Sequence, residues 1–371
     1  ILLEAREIGF GGAGRNVGLV NAGLWLMPDD VVRIVGPKYG ERLIEVLGAS
    51  PDLVFGLIEK HGIRCEAVRK GTLHCAHSPG GFRALRKRET QWKRRGAPVT
   101  LFSREEAAPK IGSDSFHGAL LDQRAGTIQP LAYAYGLAEA AKHAGARLYE
   151  DSPAVALKRE SNHWRLTTPT GNVSAKAVIL ATQGYPASAF KHRKKEIIPF
   201  NFFQFATSPL PENVRRTILP GGEGAWDTNP ILSSFRLDQS GRLLVGSVGQ
   251  VENMGYSLHK SWVRRTIKKI FPQVGPISLE YAWNGRIAMT VDHIPRFHML
   301  DEHLVSVSSY NGRGIGPGTV FGKLLAELVL GASQDAIPLP VSKPRNILTR
   351  HLRGLFYETG ARLYHFFQRR W

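Results

Sequence analysis

Hydrophobic residues recur along the chain with two different spacings, which separate predicted helices from predicted strands. Apolar residues three or four positions apart predict helices over residues 37–62, 80–95, 130–144, 258–271 and 319–330. Short alternating or continuous apolar runs predict strands over residues 147–149, 154–158, 163–168 and 177–181. The last run is continuously apolar, as expected of a central parallel strand buried on both faces. Alternating strands and helices predict an α/β fold.

The segment from residue 197 to residue 284 has a different, strand-rich pattern. Phenylalanine occupies positions 200, 202, 203 and 205, and a second alternating run covers residues 242–248. This pattern predicts a larger antiparallel sheet, interrupted by the helix over residues 258–271. The chain is therefore expected to be α+β overall, with an α/β part on either side of the sheet.

The first sixteen residues contain an apolar strand that ends in a carboxylate, followed by a glycine-rich turn. Leu2 and Leu3 precede Glu4, and the turn runs from Gly9 to Gly14. In a dinucleotide-binding fold the second strand ends in such a carboxylate, which binds the ribose hydroxyls. That carboxylate normally lies about 20 residues after a G-x-G-x-x-G turn, whereas Glu4 has only three residues before it. We therefore expect the first βα unit, roughly 30 residues, to be missing from this sequence.

Composition narrows the class of protein. The 371 residues suffice for two domains, and 43% hydrophobic with 22% charged residues is ordinary for a soluble globular chain. Two cysteines, Cys65 and Cys75, fit a reducing compartment, so a cytoplasmic location is expected. No apolar run approaches about 18 residues, so no transmembrane helix is predicted. The net charge of +18 would attract anions, but nucleic-acid binding is not expected because no zinc-finger or RNP motif is present.

Five short motifs together resemble one enzyme family. They are Glu4-Ala5 with Gly14-Arg15-Asn16, residues 126–130 (GTIQP), 177–185 (AVILATQGY), 290–295 (TVDHIP) and 310–315 (YNGRGI). In this order they resemble the FAD-dependent D-amino-acid oxidase-like superfamily, with the glycine oxidase and sarcosine oxidase fold. The chain looks most like the branch that includes gamma-glutamylputrescine oxidoreductases. The resemblance covers residues 1 to about 340.

The resemblance implies two interleaved domains and a tail. A Rossmann-like FAD-binding domain, without its first βα unit, would comprise residues 1–32, 113–190 and 285–340. An antiparallel-sheet substrate domain would comprise residues 33–112 and 191–284. The basic tail, residues 341–371, carries seven basic residues and one acidic residue, a net charge of +6. Its apolar side would pack on its own domain or make a weak contact with a membrane surface.

The resemblance also implies noncovalent FAD and the residues that contact it. By position these are Glu4, Gly14, Arg15, Asn16, Val155, Thr182, Gly184, Gly312, Arg313, Gly314, Ile315 and Thr319. Each also has a purely structural interpretation, as a strand end, turn or helix cap. Neither cysteine lies near a flavin motif, and the spacing of His61, Cys65, His74, Cys75 and His77 matches no standard zinc site, so no metal is expected.

The predicted substrate is a small-molecule amine. Amino-acid-oxidising relatives place an arginine before the T-x-D motif to hold the substrate carboxylate. Here that position is Ile287, and Arg286 lies one residue away, on the other face of a strand. This departure favours an amine without that anchor over an ordinary α-amino acid. Candidate pocket residues are Tyr310, Trp283, Arg286, His293 and Trp25, although aromatic residues and histidines of this kind are more often packed core or rim residues.

The implied reaction is oxidation of a C–N bond by hydride transfer to flavin N5, which needs alignment and dry walls more than a general base. Water would hydrolyse the resulting imine, and dioxygen or another electron acceptor would reoxidise the flavin. The alternative is a truncated, catalytically inactive remnant, or a protein that binds through its basic surface.

Overall fold

The computed structural model describes residues 1–186, 189–190 and 195–368 of the chain. The described strands are β1 (Leu2–Leu3), β2 (Leu19–Val20), β3 (Thr72–Cys75), β4 (Val99–Phe102), β5 (Ala119–Asp122), β6 (Gly126–Thr127), β7 (Leu148–Tyr149), β8 (Ala156–Glu160), β9 (His163–Thr168), β10 (Gly171–Ala175), β11 (Val178–Ile179), β12 (Ile198–Pro209), β13 (Gly224–Asp227), β14 (Ser233–Leu237), β15 (Arg242–Val248), β16 (Leu279–Met289), β17 (Arg296–Asp301) and β18 (Leu304–Ser308). The described α-helices are α1 (Gly12–Arg15), α2 (Pro28–Val35), α3 (Pro37–Gly48), α4 (Ser50–His61), α5 (Pro79–Lys93), α6 (Arg104–Ile111), α7 (Pro130–His143), α8 (Glu212–Arg215), α9 (Met254–Ile270), α10 (Ile315–Val329) and α11 (Arg350–Phe367). This is the mixed α/β fold that the pattern predicts.

The largest sheet has eight strands in the order β16-β12-β15-β14-β13-β3-β5-β4. Its neighbours pair antiparallel except β13 and β3, which run parallel. Phe203, Phe205 and Phe235 on one face pack against α9 in a large hydrophobic core. The predicted strand-rich segment is confirmed, because β12 to β16 lie within residues 198–289.

Two smaller parallel pairings lie beside this sheet. Leu2 of β1 pairs with Leu148 of β7, and Val178 of β11 pairs with Leu304 of β18. Among the described residues no strand pairs with the second edge of β1 or of β11. The prediction of a strand over 177–181 buried on both faces was wrong. The strand has only two residues, and Ile179 is 37% exposed because its face lacks a packed layer within the described chain.

The helix predicted over residues 37–62 is two helices. α3 ends at Gly48 and α4 begins at Ser50, with Pro51 in the first turn of α4. Proline has no N–H and is tolerated in a first turn but not in a helix interior, so the chain breaks at Ala49. The helix predicted from residue 319 begins earlier, at Ile315, since Pro317 also lies in a first turn.

A second core joins helices to the β17–β18 hairpin. Leu43 and Leu47 of α3 share this core with Phe297 of β17 and Phe321 of α10. The predicted domain bounds assign α3 to the substrate domain and α10 to the FAD-binding domain. That division stays a prediction, and residues 187–188 and 191–194, near one proposed boundary, lie outside the described residues.

The basic tail contains one helix, α11, which packs on the large sheet. Ala361 and His365 are fully buried between β12 and α9. The opposite side of α11 is exposed and apolar. The tail therefore packs partly on the protein, as one of the two interpretations predicts, and residues 369–371 lie outside the described chain.

Candidate functional site

The large sheet has an apolar face and a polar face, and the polar face looks toward the glycine-rich turn. Successive side chains of a strand alternate between faces. Phe203 and Phe205 of β12 face the core, so Gln204 between them points the other way. Gln204 is opposite Trp283 of β16 in the strand register, and the Trp283 indole donates a hydrogen bond to the Arg15 carbonyl oxygen at 3.0 Å. The polar face and the turn are therefore in direct contact.

Further strands of the sheet contribute to the same face. Arg236 of β14 donates to the Val17 carbonyl oxygen at 2.6 Å. Ser234, two residues before it, is opposite Trp226 of β13, and the Trp226 ring stacks on His74 of β3 at 3.4 Å. We call this set, Gln204, Ser234, Arg236, Trp226 and His74, the inner face.

The inner face holds buried polar atoms that bond to nothing in the described chain. They are both side-chain amide atoms of Gln204, the Ser234 hydroxyl and both ring nitrogens of His74. Burying an unpaired polar group costs about 1–3 kcal/mol. Three such side chains on one sheet face are therefore characteristic of a ligand-binding surface rather than of a structural core.

The glycine-rich turn is built by close backbone approach. The Gly14 N–H donates to the Gly9 carbonyl oxygen at 3.1 Å. A Cβ at Gly14 would overlap that oxygen and lie 2.8 Å from Leu131 Cδ1, and Gly9 has a φ of +80°. Both glycines are thus required by the turn. Gly9, Gly11 and Gly14 also match G-x-G-x-x-G spacing, but the following helix, α1, has only four residues and offers no long helix N-terminus to a phosphate.

The predicted cofactor residues Arg15 and Asn16 use their side chains to shape this turn. The Arg15 Nε donates to the Phe10 carbonyl oxygen at 2.6 Å, and its guanidinium lies over the Phe10 ring at 4.5 Å. The Asn16 amide donates to the Gly12 carbonyl oxygen, and its oxygen accepts from the Gly18 N–H. The sequence interpretation of these two as free ligands for phosphate or flavin gains no support from these contacts.

Glu4 and Val155 lie on neighbouring segments. The Ser152 N–H donates to the Glu4 carbonyl oxygen at 2.8 Å, which places the 152–155 segment beside the end of β1. The Glu4 carboxylate accepts one hydrogen bond, from the Arg6 N–H. Val155 is 43% exposed. The carboxylate therefore keeps free lone pairs next to an accessible apolar surface, the arrangement required for a ribose with an adjoining adenine.

Thr182 and Gly184 follow β11, and Gly184 lies against β16, an edge strand of the large sheet. The Tyr185 hydroxyl accepts a hydrogen bond from the Arg286 N–H at 2.8 Å, and a Cβ at Gly184 would lie 2.9 Å from the Arg286 carbonyl oxygen. The Arg286 guanidinium is over the Tyr185 ring at 5.6 Å. Thr182 accepts a backbone hydrogen bond from Tyr185 in the same turn.

Residues 312–319 lead into α10 and leave its amino end open. Gly312 has a φ of +87°, and no side chain caps the helix at Gly314. A Cβ at Gly312 would lie 3.6 Å from Ile287 Cδ1, the nearest atom. The N–H groups at a helix start carry partial positive charge and favour an electron-rich acceptor. Ile287 therefore faces this open end, whereas Arg286 does not.

Arg313 turns away from that end into a small, partly open cavity of about 30 Å³. Its guanidinium lies 4.8 Å from the Trp226 ring centre and donates to the Ala22 carbonyl oxygen at 2.9 Å. Arg88 of α5 lines the same cavity. Burial, with a smaller contribution from Arg88, lowers the pKa of Arg313 to about 9. Both arginines remain cationic at neutral pH.

Burial, and then the charges of Arg88 and Arg313, lower the pKa of His74 well below its ordinary value. Its ring is therefore neutral at physiological pH. A neutral imidazole both donates and accepts one hydrogen bond, so His74 can orient a polar ligand group at this end of the inner face without adding charge.

The remaining predicted pocket residues divide into packed and accessible positions. Tyr310 stacks on Phe321 at 5.9 Å and donates to the Val307 carbonyl oxygen, so it packs in the core. Burial raises its pKa well above the usual range. Trp25 and His293 make an edge contact at 5.1 Å, and burial lowers the pKa of His293.

Ile315 and Thr319 are also in structural contacts. Ile315 packs at the edge of the core that contains Tyr133. The Thr319 hydroxyl donates to the Ile315 carbonyl oxygen and contacts the Tyr133 hydroxyl at 3.2 Å. Neither side chain is free for a ligand, although the backbone of this turn is.

Sequence reasoning missed most of the inner face. Gln204, Ser234, Arg236 and Trp226 were not singled out, and His74 was considered only as a metal ligand. One local signal was available, because Gln204 is a polar residue flanked on both sides by phenylalanines. His74 and Trp226 meet only through the β3–β13 pairing, which no local pattern reveals.

The residues present fit two parts of FAD. The carboxylate of Glu4 with its exposed neighbour suits the ribose and adenine. The open start of α10 and the glycine turn suit an electron-rich planar ring. The described residues offer no comparable helix start for the pyrophosphate.

Comparisons with known proteins agree with this fit. Residues 1–328 match the family described as FAD dependent oxidoreductase. The chain is 30% identical to gamma-glutamylputrescine oxidoreductase of Escherichia coli K12, over 98% of this chain and 87% of that protein. It is 28% identical to a probable oxidoreductase, OrdL, of Haemophilus influenzae, over 89% of this chain and 77% of that protein. The crystal structure of glycine oxidase from Geobacillus kaustophilus superposes with a TM-score of 0.73 at 21% identity, covering 90% of this chain and 88% of that one.

Proposed function

The chain belongs to the FAD dependent oxidoreductase family, and we propose from this that it oxidises a C–N bond of an amine that lies on the inner face. Oxidoreductase activity on amine or amino-acid-like substrates, with FAD as cofactor, follows from the family. The finer steps, hydride transfer and hydrolysis of the imine product, are our proposal. FAD, when bound, supplies the hydride acceptor.

Glu4, the turn from Gly9 to Gly18 and the start of α10 are the elements that we propose to hold the cofactor. The partial positive charge at the start of α10 would stabilise negative charge on the cofactor ring. Gly312 and Gly314 allow the ring to approach this backbone without a side chain in between.

The main structural support for the proposal is the set of unpaired polar atoms on the inner face. Gln204 and Ser234 can hydrogen-bond a neutral amine and hold its α-carbon in one orientation. The apolar side of the site, which includes Ile287 and Trp283, excludes water until the product leaves. None of the inner-face residues is a carboxylate, in keeping with a reaction that needs no strong base. Water then hydrolyses the imine to a carbonyl compound and a free amine.

The preferred substrates follow from Ile287. The apolar side chain of Ile287 offers no hydrogen-bond donor or positive charge to hold the α-carboxylate of an amino acid. We therefore propose that polyamine-like or glutamylated amines are oxidised faster than simple D- or L-amino acids. The gamma-glutamylputrescine oxidoreductase relative carries a name consistent with such a substrate.

Absorbance and anaerobic reduction test the proposal. The purified full chain is titrated with FAD, and bleaching of the flavin band is followed after addition of putrescine, γ-glutamylputrescine, glycine and D-alanine. We expect bound FAD and faster bleaching by the first two amines. Gln204→Leu and Ser234→Ala should slow bleaching at least tenfold. Ser247→Ala, on the neighbouring strand and the opposite face, should not.

Three outcomes would each reject a part of the proposal. A protein that binds no added FAD supports the alternative of an inactive remnant or a basic-surface binding protein. Equal effects of Ser234→Ala and Ser247→Ala would show that the inner face is not the substrate site. Faster bleaching by glycine or D-alanine would reject the role of Ile287.

We also propose that α11 contacts an anionic membrane surface. Leu352, Phe356 and Phe367 on its outer side are 70%, 73% and 66% exposed, and they recur at helical spacing. Arg353 in the first turn of α11 and Arg345, which precedes the helix, are exposed cations. A basic amphipathic helix of this kind lies in the headgroup plane of a bilayer. No helix in the described part of the chain has the length and hydropathy needed to cross one.

Sedimentation with vesicles tests the surface contact. Wild type should bind phosphatidylglycerol vesicles and bind phosphatidylcholine vesicles weakly, while Leu352→Glu with Phe356→Glu should release it. Leu330→Glu, at an exposed apolar residue directly after α10, is the control. Unchanged vesicle binding with a shift from dimer to monomer would identify the strip as an interface between two copies instead. A cytoplasmic location remains a prediction, supported by Cys65 and Cys75 being free thiols.

A further inference from the structure

The cavity is lined by two arginines, Arg88 and Arg313, that form no ion pair with a carboxylate of the described chain. Arg88 donates to two backbone carbonyl oxygens, those of Trp25 at 2.7 Å and Leu26 at 3.1 Å, and its Nε has no partner. Arg313 donates to the Ala22 carbonyl oxygen. Neither guanidinium is in a described ion pair, although Arg88 is buried and Arg313 is half-buried.

Asp122 is the acidic residue that lines the cavity, and its charge is already engaged. Its two carboxylate oxygens accept from the Arg124 guanidinium at 2.9 and 2.7 Å. The cavity is thus lined by two guanidiniums and by one carboxylate that is already paired with Arg124. A buried charge without a counter-charge costs far more than a buried neutral group. An anion is the ligand that such a cavity is built to accept.

The cavity has the size and the polar lining for one carboxylate. About 30 Å³ admits roughly two water-sized atoms, which is the oxygen pair of a carboxylate. A guanidinium binds that pair with parallel N–H donors. His74, with both ring nitrogens unpaired, and Thr72 also line the cavity.

We propose that this cavity is an anion subsite in which Arg88 and Arg313 hold a carboxylate of the substrate. The inference rests on the proposed function and deepens it. The carboxylate anchor lacking at Ile287 on β16 is supplied from the β13–β3 region, and three strands separate β16 from β13. A substrate carboxylate held there is distant from the Ile287 end of the inner face. The favoured substrate is therefore an extended amine with a remote carboxylate.

Binding of acetate to the full chain tests the subsite without requiring FAD or turnover. We expect acetate to raise the melting temperature, and acetamide, its neutral isostere, to leave it unchanged. Arg88→Gln and Arg313→Gln should each weaken acetate binding about tenfold or more, since a charge-assisted hydrogen bond is lost. Arg86→Gln, at an exposed position of the same helix, is the matched control. Arg88→Lys retains the charge if Arg88→Gln fails to fold.

A second measurement identifies the source of the anion. In the FAD-loaded protein, 4-aminobutyrate should reduce the flavin faster than 4-aminobutanamide, and Arg313→Gln should remove this preference. Equal acetate and acetamide effects, or acetate binding unchanged in both glutamine variants, would overturn the subsite. Acetate binding with no preference between the two amines would assign the cavity to another anion and overturn the substrate role. Failure to bind FAD would reject the proposed function alone, because the acetate measurement stands without it.

Discussion

Acidification is expected to weaken the attachment of α11 through two buried histidines. His365 of α11 is fully buried and contacts His259 of α9, with the two Nδ1 atoms 3.0 Å apart. Its Nε2 lies 3.1 Å from the Ser247 hydroxyl. Burial lowers the pKa of His365 to about 2, with smaller contributions from His259 and Arg265. Burial and then Arg362 lower the pKa of His259 to about 4.

The lowered pKa values of His259 and His365 decide how the free energy of unfolding changes with pH. The folded protein keeps both histidines neutral, whereas the unfolded chain protonates them below its ordinary pKa of 6.5. Their contribution is therefore fully present above pH 6.5 and is lost as the pH falls toward 4. Each pH unit below 6.5 costs about 1.4 kcal/mol per histidine. At pH 5 the loss is about 4 kcal/mol for the pair, a large part of the stability of a typical domain.

Urea unfolding at pH 7.5 and pH 5 measures this loss. Wild type is compared with a His259→Leu, His365→Leu double variant and with His61→Gln, a control at an exposed histidine. The double variant should lose less stability on acidification by several kcal/mol, while the control follows wild type. Ser247 keeps its bond to the Leu232 carbonyl oxygen in the double variant. Parallel losses in all three proteins would refute the assignment.

Three further substitutions test the turn, the core and a helix cap. Gly14→Ala should abolish FAD binding, measured by fluorescence titration, because the added Cβ would overlap the Gly9 carbonyl oxygen. The control variant Gly56→Ala should bind FAD normally, because Gly56 has open space around it. Phe203→Ala should lower the free energy of unfolding by about 3–5 kcal/mol in urea, since that ring is fully buried; a loss below 1 kcal/mol would contradict the packing. Ser103→Ala should cost about 1 kcal/mol through loss of its capping box, and an unchanged urea midpoint would count against that cap.

The sequence predicts those strands and helices that leave a local pattern, either in the spacing of apolar residues or in the residues at their ends. The strand at 163–168 and the run at 242–248 form with the predicted bounds, because alternation reports a strand with one buried face. The helix at 130–144 is likewise present, since Pro130 and Gly145 mark its ends. Helix boundaries failed where proline is permitted in a first turn, as at Pro51 and Pro317.

The site could be predicted only in part. Glu4 and the glycine turn carry a local pattern, so the sequence identifies them. The cationic cavity depends on burial of Arg88, one of several basic residues on a polar helix, and nothing in the sequence distinguishes it from its exposed neighbour Arg86. The partners of Arg313 also come from distant segments. Whether an arginine has an ion-pair partner depends on contacts between distant segments of the folded chain. A sequence pattern therefore cannot show that Arg88 and Arg313 lack one.

Strand alternation explains how one sheet can serve both stability and chemistry. In β12, Phe203 packs in the hydrophobic core against α9, while Gln204, the next residue, presents an amide with no partner. Burial of the phenylalanine side chains on the apolar face stabilises the strand and offsets the free-energy cost of burying the unpaired Gln204 amide. Substitution of Phe203 should therefore affect mainly folding, whereas substitution of Gln204 should affect mainly ligand binding. Because a one-residue shift in register would exchange the two faces, the pairing of β12 with β15 and β16 fixes the site as well as the core.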